Sequence, residues 1–247
     1  SKIRFTRHIF KEILRGGFPS LCRQSLMAIS TICLNTASGL YGDAAIAAMS
    51  VVSRVMTMAN SALIGFGQGF QPVCGFNYGA KLYDRVRQGF RFCVKWGTIF
   101  LVVASIVGYA FAPQLVAVFR DDPEVVAFGT VAMRCQCLTF PLAAYALVSN
   151  MMTQTMGKTV PATILAAARQ GLFFIPAVLL MPLWLDQLGV QLAQSVADVL
   201  SFALTLVMMR RVFRNLRSEE NAAMLLRHHR TSDPYPAENV PEMPETP

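Results

Sequence analysis

Residues 42–81 read GDAAIAAMSVVSRVMTMANSALIGFGQGFQPVCGFNYGAK. The stretch is mainly apolar, and its only charged residues are Asp43, Arg54 and Lys81. A hydrocarbon core about 30 Å thick requires roughly 20 mainly apolar residues in one helix. The stretch therefore predicts a membrane-spanning helix, and it is longer than one straight crossing needs.

Glycine and proline near the end of this stretch predict an interruption of the helix. Gly65, Gly67 and Gly69 precede Pro72. A break within a membrane is tolerated where neighbouring helices or water satisfy the freed backbone groups. The glycines do not have the GxGxxG spacing of a dinucleotide-binding loop, and no strand precedes them.

Further apolar runs follow one another along the chain, separated by short polar breaks. The six predicted spans are residues 17–40, 44–76, 92–119, 125–156, 160–184 and 189–210. The composition agrees, because 54% of the residues are hydrophobic and 15% are charged, against about a quarter charged in soluble domains. The predicted fold class is all-α, a polytopic membrane protein with six transmembrane helices.

The two ends of the chain differ from the predicted six-helix region, which covers residues 17–213. Residues 1–16 are basic and amphipathic, which is typical of a helix on a membrane surface. Residues 214–247 are polar and contain five prolines, so they predict a disordered cytoplasmic tail. These prolines are Pro234, Pro236, Pro241, Pro244 and Pro247.

Lysine and arginine alternate between successive connections, as expected when basic loops remain in the cytoplasm. The basic segments are residues 2–15, 81–95, 158 and 210–217, and the opposite connections are acidic at 42–43, 120–124 and 186–189. Both termini are therefore predicted to be cytoplasmic. The net charge of +8 is explained by this bias and by contact with anionic membrane lipid. Nucleic acid is not an expected partner.

The residues needed for catalysis or metal binding do not form a set on these spans. The six cysteines form no CxxC pair, and the three histidines lie near the chain ends. No Ser/His/Asp set, carboxylate dyad or metal cluster can be assembled. We therefore expect no enzyme activity, no catalytic residue, no metal site and no cofactor.

Ionisable residues inside the predicted spans need a partner or a watery cavity. Arg169 and Asp198 lie at similar depths in the last two spans, so an ion pair is predicted between them. Its favoured role is a structural clamp that fixes helix register. Arg54 and Arg134 lie deeper and are predicted to line a substrate cavity.

Amide side chains inside membrane spans mostly join helices through hydrogen bonds. A minority is expected to touch a substrate. The amide candidates for the cavity are Gln24, Asn35, Asn150 and Gln154.

The segment from Gly67 to Lys81 resembles the signature at the end of the eighth helix of the MATE (multidrug and toxic compound extrusion) family, in its MepA-like branch. Residues 17–20, 156–158 and 169–171, together with Asp198, match the family in order. The signature or hinge residues carried over are Gly67, Gln68, Gly69, Gln71, Pro72, Asn77 and Gly79.

This resemblance implies multidrug efflux by antiport of protons or sodium ions, with this chain as the carboxy-terminal six-helix lobe of a twelve-helix exporter. The resemblance also implies location in a bacterial cytoplasmic membrane. The implied partners are amphipathic or cationic drug-like molecules and either an amino-terminal lobe or a second half-length chain. Met27 lies near a position where some members keep a coupling carboxylate, and residues 125–156 contain no acid. The coupling site is therefore expected in an amino-terminal lobe.

Two other functions remain open at this point. One is a flippase for lipid-linked oligosaccharides in the same superfamily, since four arginines inside the predicted spans, Arg23, Arg54, Arg134 and Arg169, would suit a basic cavity. The other is a membrane scaffold that binds other membrane proteins and transports nothing.

Overall fold

The computed structural model describes the backbone of residues 7–231, which is almost wholly helical and contains no strand. The helices are α1 Arg7–Gly39, α2 Asp43–Gly79, α3 Tyr83–Ala110, α4 Ala112–Phe119, α5 Pro123–Thr139, α6 Leu142–Thr155, α7 Thr159–Ala167, α8 Phe174–Leu180 and α9 Pro182–Thr231, with a π-helical turn, Ala168–Leu172, between α7 and α8. The predicted all-α fold class is confirmed.

These helices form six columns in the order of the predicted spans: α1, α2, α3 with α4, α5 with α6, α7 with α8, and α9. Helices α2, α3 and α9 and the α7–α8 column are long and apolar enough to cross a membrane. A fifth crossing results if α5 and α6, which meet at 58°, are counted together. Helix α1 does not reach this criterion within the described part of the chain, since it carries several polar residues. The first crossing stays a prediction.

The glycine-rich end of α2 corrects one prediction, because α2 is a single 37-residue helix with Pro72 inside it. Glycine can adopt helical backbone angles, so its presence does not by itself break a helix. Gly67 is buried, and a Cβ atom built there would overlap Met151 Sδ. This glycine permits close packing of α2 and α6 in the described structure, where a hinge was expected.

The interruptions of the other columns lie beside prolines. Helix α4 begins just before Pro113, the bend between α5 and α6 contains Pro141, and α8 contains Pro176. Proline lacks an N–H group and crowds the preceding turn, so it removes or distorts a helical hydrogen bond. The break near the start of α9 differs, since Asp186 there has a positive φ of 49°.

The predicted ends of the chain are also corrected where the structure describes them. Helix α9 continues to Thr231, so residues 214–231 are helical and not disordered. The reason is packing, because Leu216 is fully buried and Glu219 and Glu220 contact basic side chains. Helix α1 runs without a break from Arg7, so residues 7–16 form no separate segment. Residues 1–6 and 232–247 lie outside the described residues.

The two larger hydrophobic clusters lie in different halves of the bundle, and a smaller third cluster includes Leu63 and Phe140. One surrounds Val52, Val116 and Val178, and we name this region the cavity half. The other surrounds Phe90 and Met152, and we name it the closed half. In the closed half the Phe90 ring meets the rings of Tyr145 and Phe213 edge-on, with centroids 5.8 and 5.2 Å apart. Such aromatic pairs add stabilisation beyond the area that they bury.

Candidate functional site

A cavity of about 190 Å³ lies in the cavity half, between α1, α2, α5, the π-helical turn, α8 and α9. Its polar lining is Ser30, Thr31, Ser53, Thr57, Asn60, Gln136, Arg169, Gln170, Gln194 and Asp198, and its apolar lining is Met27, Leu34, Met49, Met56, Ile64, Phe140 and Phe174. Methionine side chains adapt to ligands of different shape. A cavity with this mixed lining suits an amphipathic small molecule.

The predicted partners Arg169 and Asp198 are in contact at the wall of this cavity. Arg169 Nε donates a hydrogen bond to Asp198 Oδ1 over 2.7 Å, and Gln194 Nε2 donates to the same oxygen over 3.0 Å. The Asp198 side chain is 3% exposed and that of Arg169 is 21% exposed. A buried carboxylate is stable only when it is paired and hydrogen-bonded. The pair is thus held between helices and also faces the space open to a ligand.

The π-helical turn brings Arg169 and its neighbour Gln170 to the same cavity. Phe173 N donates to Ala168 O over 3.0 Å, which is the five-residue spacing of a π-helix. Pro176 has no N–H to donate to the carbonyl of Leu172, four residues earlier, and this favours a departure from α-helical bonding. Two consecutive polar side chains consequently line one wall.

Two amide oxygens of the cavity lack hydrogen-bond partners among the described residues. Asn60 Oδ1 and Gln170 Oε1 are buried and accept no hydrogen bond. Gln136 is 6% exposed and also lines the cavity. Buried polar atoms in native proteins almost always have a partner. Water or a ligand in the cavity would supply it.

Three predicted cavity residues lie beside the cavity and do not line it. Gln24 and Asn35 are exposed on α1, and Arg54 is exposed on α2. Their spacing places them in line with Thr31 on α1 and Thr57 on α2, which do line the cavity. The result is an exposed polar row along α1 and α2 that borders the cavity.

The other three predicted residues lie away from the cavity. Asn150 is buried and its Nδ2 donates to Ala162 O over 2.7 Å, while Gln154 Nε2 donates to Ser20 Oγ over 3.0 Å. These two amides join α6 to α7 and α1, in place of the cavity role predicted for them. The Arg134 guanidinium lies 5.3 Å from the centre of the Tyr109 ring, a favourable cation–π arrangement.

The signature residues occupy the part of α2 that leads into the closed half. Gly67 is buried, Gln68, Gly69, Pro72 and Gly79 are exposed, and Gln71 and Asn77 are partly buried. Asn77 Nδ2 donates to Val73 O of the same helix over 2.8 Å. None of the seven lines the cavity.

The cavity residues that the sequence prediction missed include Ser53, Thr57 and Asn60 on α2. They recur at three- and four-residue intervals, which places them on one face of a helix. Met49 and Met56 lie on that face as well. This period was a usable signal for a polar helix face, but it does not reveal that this face of α2 lines a cavity shared with α5 and α9.

Comparison with known proteins identifies the family of this chain. The sequence model of the MatE family matches residues 19–180. Multidrug export protein MepA of Staphylococcus saprophyticus is 24% identical over 181 residues, 73% of this chain and 40% of that protein. MepA of Staphylococcus haemolyticus is 25% identical over 179 residues, 71% of this chain and 38% of that protein.

Solved structures show the same fold. A MATE in complex with MaL6 has a TM-score of 0.81 at 19% identity, over 87% of this chain and 49% of that one. A MOP superfamily transporter from Pyrococcus furiosus, described as having a binding pocket of reverse polarity, has a TM-score of 0.80 at 19% identity, over 87% of this chain and 49% of that one. The chain thus spans half or less of the length of these relatives. Because the family model covers more than half of the chain, this membrane protein belongs to the MatE family.

Proposed function

We propose that this chain is the carboxy-terminal six-helix lobe of a multidrug exporter that couples efflux to an inward flow of protons or sodium ions. The observation that carries the proposal is the cavity among membrane-length helices, which combines a paired charge, amides without partners, and methionine and phenylalanine side chains. Polar groups inside a membrane are costly and usually functional. Named multidrug export relatives support the same conclusion.

The exposed polar row on α1 and α2 supports a second lobe as the partner. Gln24, Asn35 and Arg54 would be costly in contact with lipid tails. They need a water-filled space or another protein across from them. An amino-terminal lobe, or a second half-length chain, facing this row would enclose the cavity between the two bodies.

The coupling ion is proposed to bind in that amino-terminal lobe. The cavity described here has one carboxylate, Asp198, which already pairs with Arg169 and Gln194. Met27 contributes a thioether to the wall and cannot bind a proton or sodium ion as a carboxylate does. Reading the upstream coding sequence tests this proposal, and an amino-terminal lobe without a carboxylate in its membrane helices would contradict it.

The proposed orientation places the basic end of the bundle in the cytoplasm, with both termini there. Arg87 contacts Glu220 and Lys158 contacts Glu219, so the second and fourth connections and the end of α9 meet at one end. Basic connections are retained in the cytoplasm. Labelling of single cysteines with a membrane-impermeant reagent, introduced at Gln88 and at Gln114, tests the two faces separately.

Dye accumulation in cells that lack their own exporters tests the proposed activity. The complete reading frame containing this chain should lower accumulation of an amphipathic cationic dye, and dissipation of the proton and sodium gradients should restore it. Gln136→Leu removes a cavity amide and should impair efflux, whereas the matched change Gln88→Leu alters an exposed amide outside the cavity. Equal accumulation with and without the reading frame favours the scaffold.

The flippase is the second candidate, favoured by the basic groups in and beside the cavity. Arg169 lines the cavity and Arg54 lies next to it on α2. Two results together would establish this function over drug efflux. Purified protein would move a lipid-linked oligosaccharide between leaflets, and a host whose envelope assembly depends on the protein would gain no dye resistance from it.

A further inference from the structure

Ser30 on α1 makes a hydrogen bond that neither the ion pair nor the cavity lining explains. It is 5% exposed, and its hydroxyl donates to the main-chain carbonyl of Gln170 within the π-helical turn. Among the described residues, the other α1 hydroxyls that act as donors, those of Thr31 and Thr36, donate to carbonyls of their own helix. Ser30 therefore links α1 to the irregular turn of another column.

From this contact we propose that Ser30 is a positioning residue, which fixes the π-helical turn so that Arg169 faces Asp198 and Gln170 faces the cavity. A π-helical turn adds a residue to the helix and leaves the neighbouring backbone bonds irregular. The carbonyl of Gln170 belongs to that turn. A donor from a neighbouring helix stabilises the wide conformation over a regular α-helical one.

The packing around the turn makes the position of α1 matter. Gly171 is buried, and a Cβ atom built on it would lie 2.8 Å from Leu26 Cδ2 of α1. Helix α1 thus approaches the turn closely on one side through Leu26 and bonds it through Ser30, one helical turn later. Two contacts from one helix fix both the distance and the rotation of the turn.

Arg169 and the carbonyl that Ser30 binds belong to the same π-helical turn. Arg169 lies one residue before the carbonyl that Ser30 binds, and its Nε is 2.7 Å from Asp198 Oδ1. A rotation of the turn would lengthen this contact and would move Gln170 along the cavity wall. Loss of the Ser30 hydroxyl should therefore alter ligand binding through Arg169, although Ser30 itself also borders the cavity. This step rests on the proposed function.

Amide hydrogen exchange tests the positioning without any assumption about transport. In the purified full protein, Ser30→Ala should raise the exchange of the peptide covering residues 168–174 by about fivefold, the order expected for one lost hydrogen bond. Thr36→Ala, which removes an exposed hydroxyl from the same helix, should leave that peptide unchanged. Ser30→Thr retains a hydroxyl and should restore protection. Unchanged exchange in Ser30→Ala overturns the proposal.

A binding cycle tests the connection to Arg169. The dissociation constant of ethidium is measured for wild type, Ser30→Ala, Arg169→Lys and the double variant. Ser30→Ala should weaken ethidium binding about fivefold when Arg169 is present and by less than about twofold when it is combined with Arg169→Lys. The reason is that the effects of substitutions at coupled residues are not additive. Equal factors in both backgrounds overturn the route through Arg169. If the wild type binds no amphipathic dye, the proposed function fails, while hydrogen exchange still decides the positioning role.

Discussion

In the cavity half, charge is buried between helices, whereas in the closed half it lies at the helix ends. Asp198 is 3% exposed and accepts two hydrogen bonds on one oxygen. At the basic end, Arg87 binds both Asp84 and Glu220, over 2.6 and 2.5 Å. The first arrangement has a single charge partner, while the second is a small network near water.

The two halves also differ in how regular their helices are. The π-helical turn and the bend at Pro141 both border the cavity, whereas α2 and α9 run through the closed half without interruption. The closed half is filled by aromatic and methionine side chains. Two helix irregularities thus border the cavity, while the unbroken α1 and α2 supply much of the rest of its wall.

Removing the buried carboxylate of the cavity half should cause the largest loss of stability. Asp198→Asn leaves Arg169 without a charge partner inside the bundle, which should cost about 3–5 kcal/mol of stability. Thermal unfolding and the yield of monodisperse protein in detergent measure the loss. Arg169→Gln with Asp198→Asn removes both charges and should recover part of it. A double variant as unstable as the single one would show that the pair is not what stabilises the cavity half.

Tight packing in the closed half should give an intermediate effect. Gly67→Ala forces a Cβ atom onto Met151, so it should cost about 1–3 kcal/mol. Gly69→Ala is the matched control, since nothing lies within 4 Å of a Cβ atom built there, and alanine favours a helix over glycine by up to about 1 kcal/mol. Unfolding in detergent measures the stability of the two variants. A greater loss of transport from Gly69→Ala, with stability unchanged, would restore the hinge interpretation.

The ion pairs at the basic end, which join Arg87 to Asp84 and Glu220, should contribute least to the free energy of unfolding. Glu220→Gln weakens a partly buried contact with Arg87 and should cost about 1 kcal/mol. Glu219→Gln is the control, because Glu219 is 41% exposed and lies 3.7 Å from Lys158, so it should cost less than about 0.5 kcal/mol. Unfolding at low and high salt should show that salt reduces the Glu220 effect. The Asp198→Asn effect should not depend on salt.

The sequence predicted the fold class because a bilayer constrains the length and hydrophobicity of every crossing. It also predicted that Arg169 and Asp198 would pair, since few ionisable residues lie within the spans and their depths agree. It did not predict that residues 214–231 continue α9, because that helix is stabilised by contacts with distant residues such as Lys158 and Arg87.

The cavity was predicted less well than the fold. Asn150 and Gln154 have the same side-chain chemistry as Asn60 and Gln136, yet the first two join helices and the last two line the cavity. Residue type sets what a side chain can bind, and local period sets which residues share a helix face.

By itself, then, the sequence determined that this is a helical membrane protein, the order of its apolar spans and which charges need partners, since these follow from the cost of placing polar groups in lipid. Only the tertiary structure decided which helix faces meet. It placed the π-helical turn against Ser30, opened a cavity beside Arg169 and closed the other half, because rotation of a helix about its own axis depends on packing with neighbours far away in the chain.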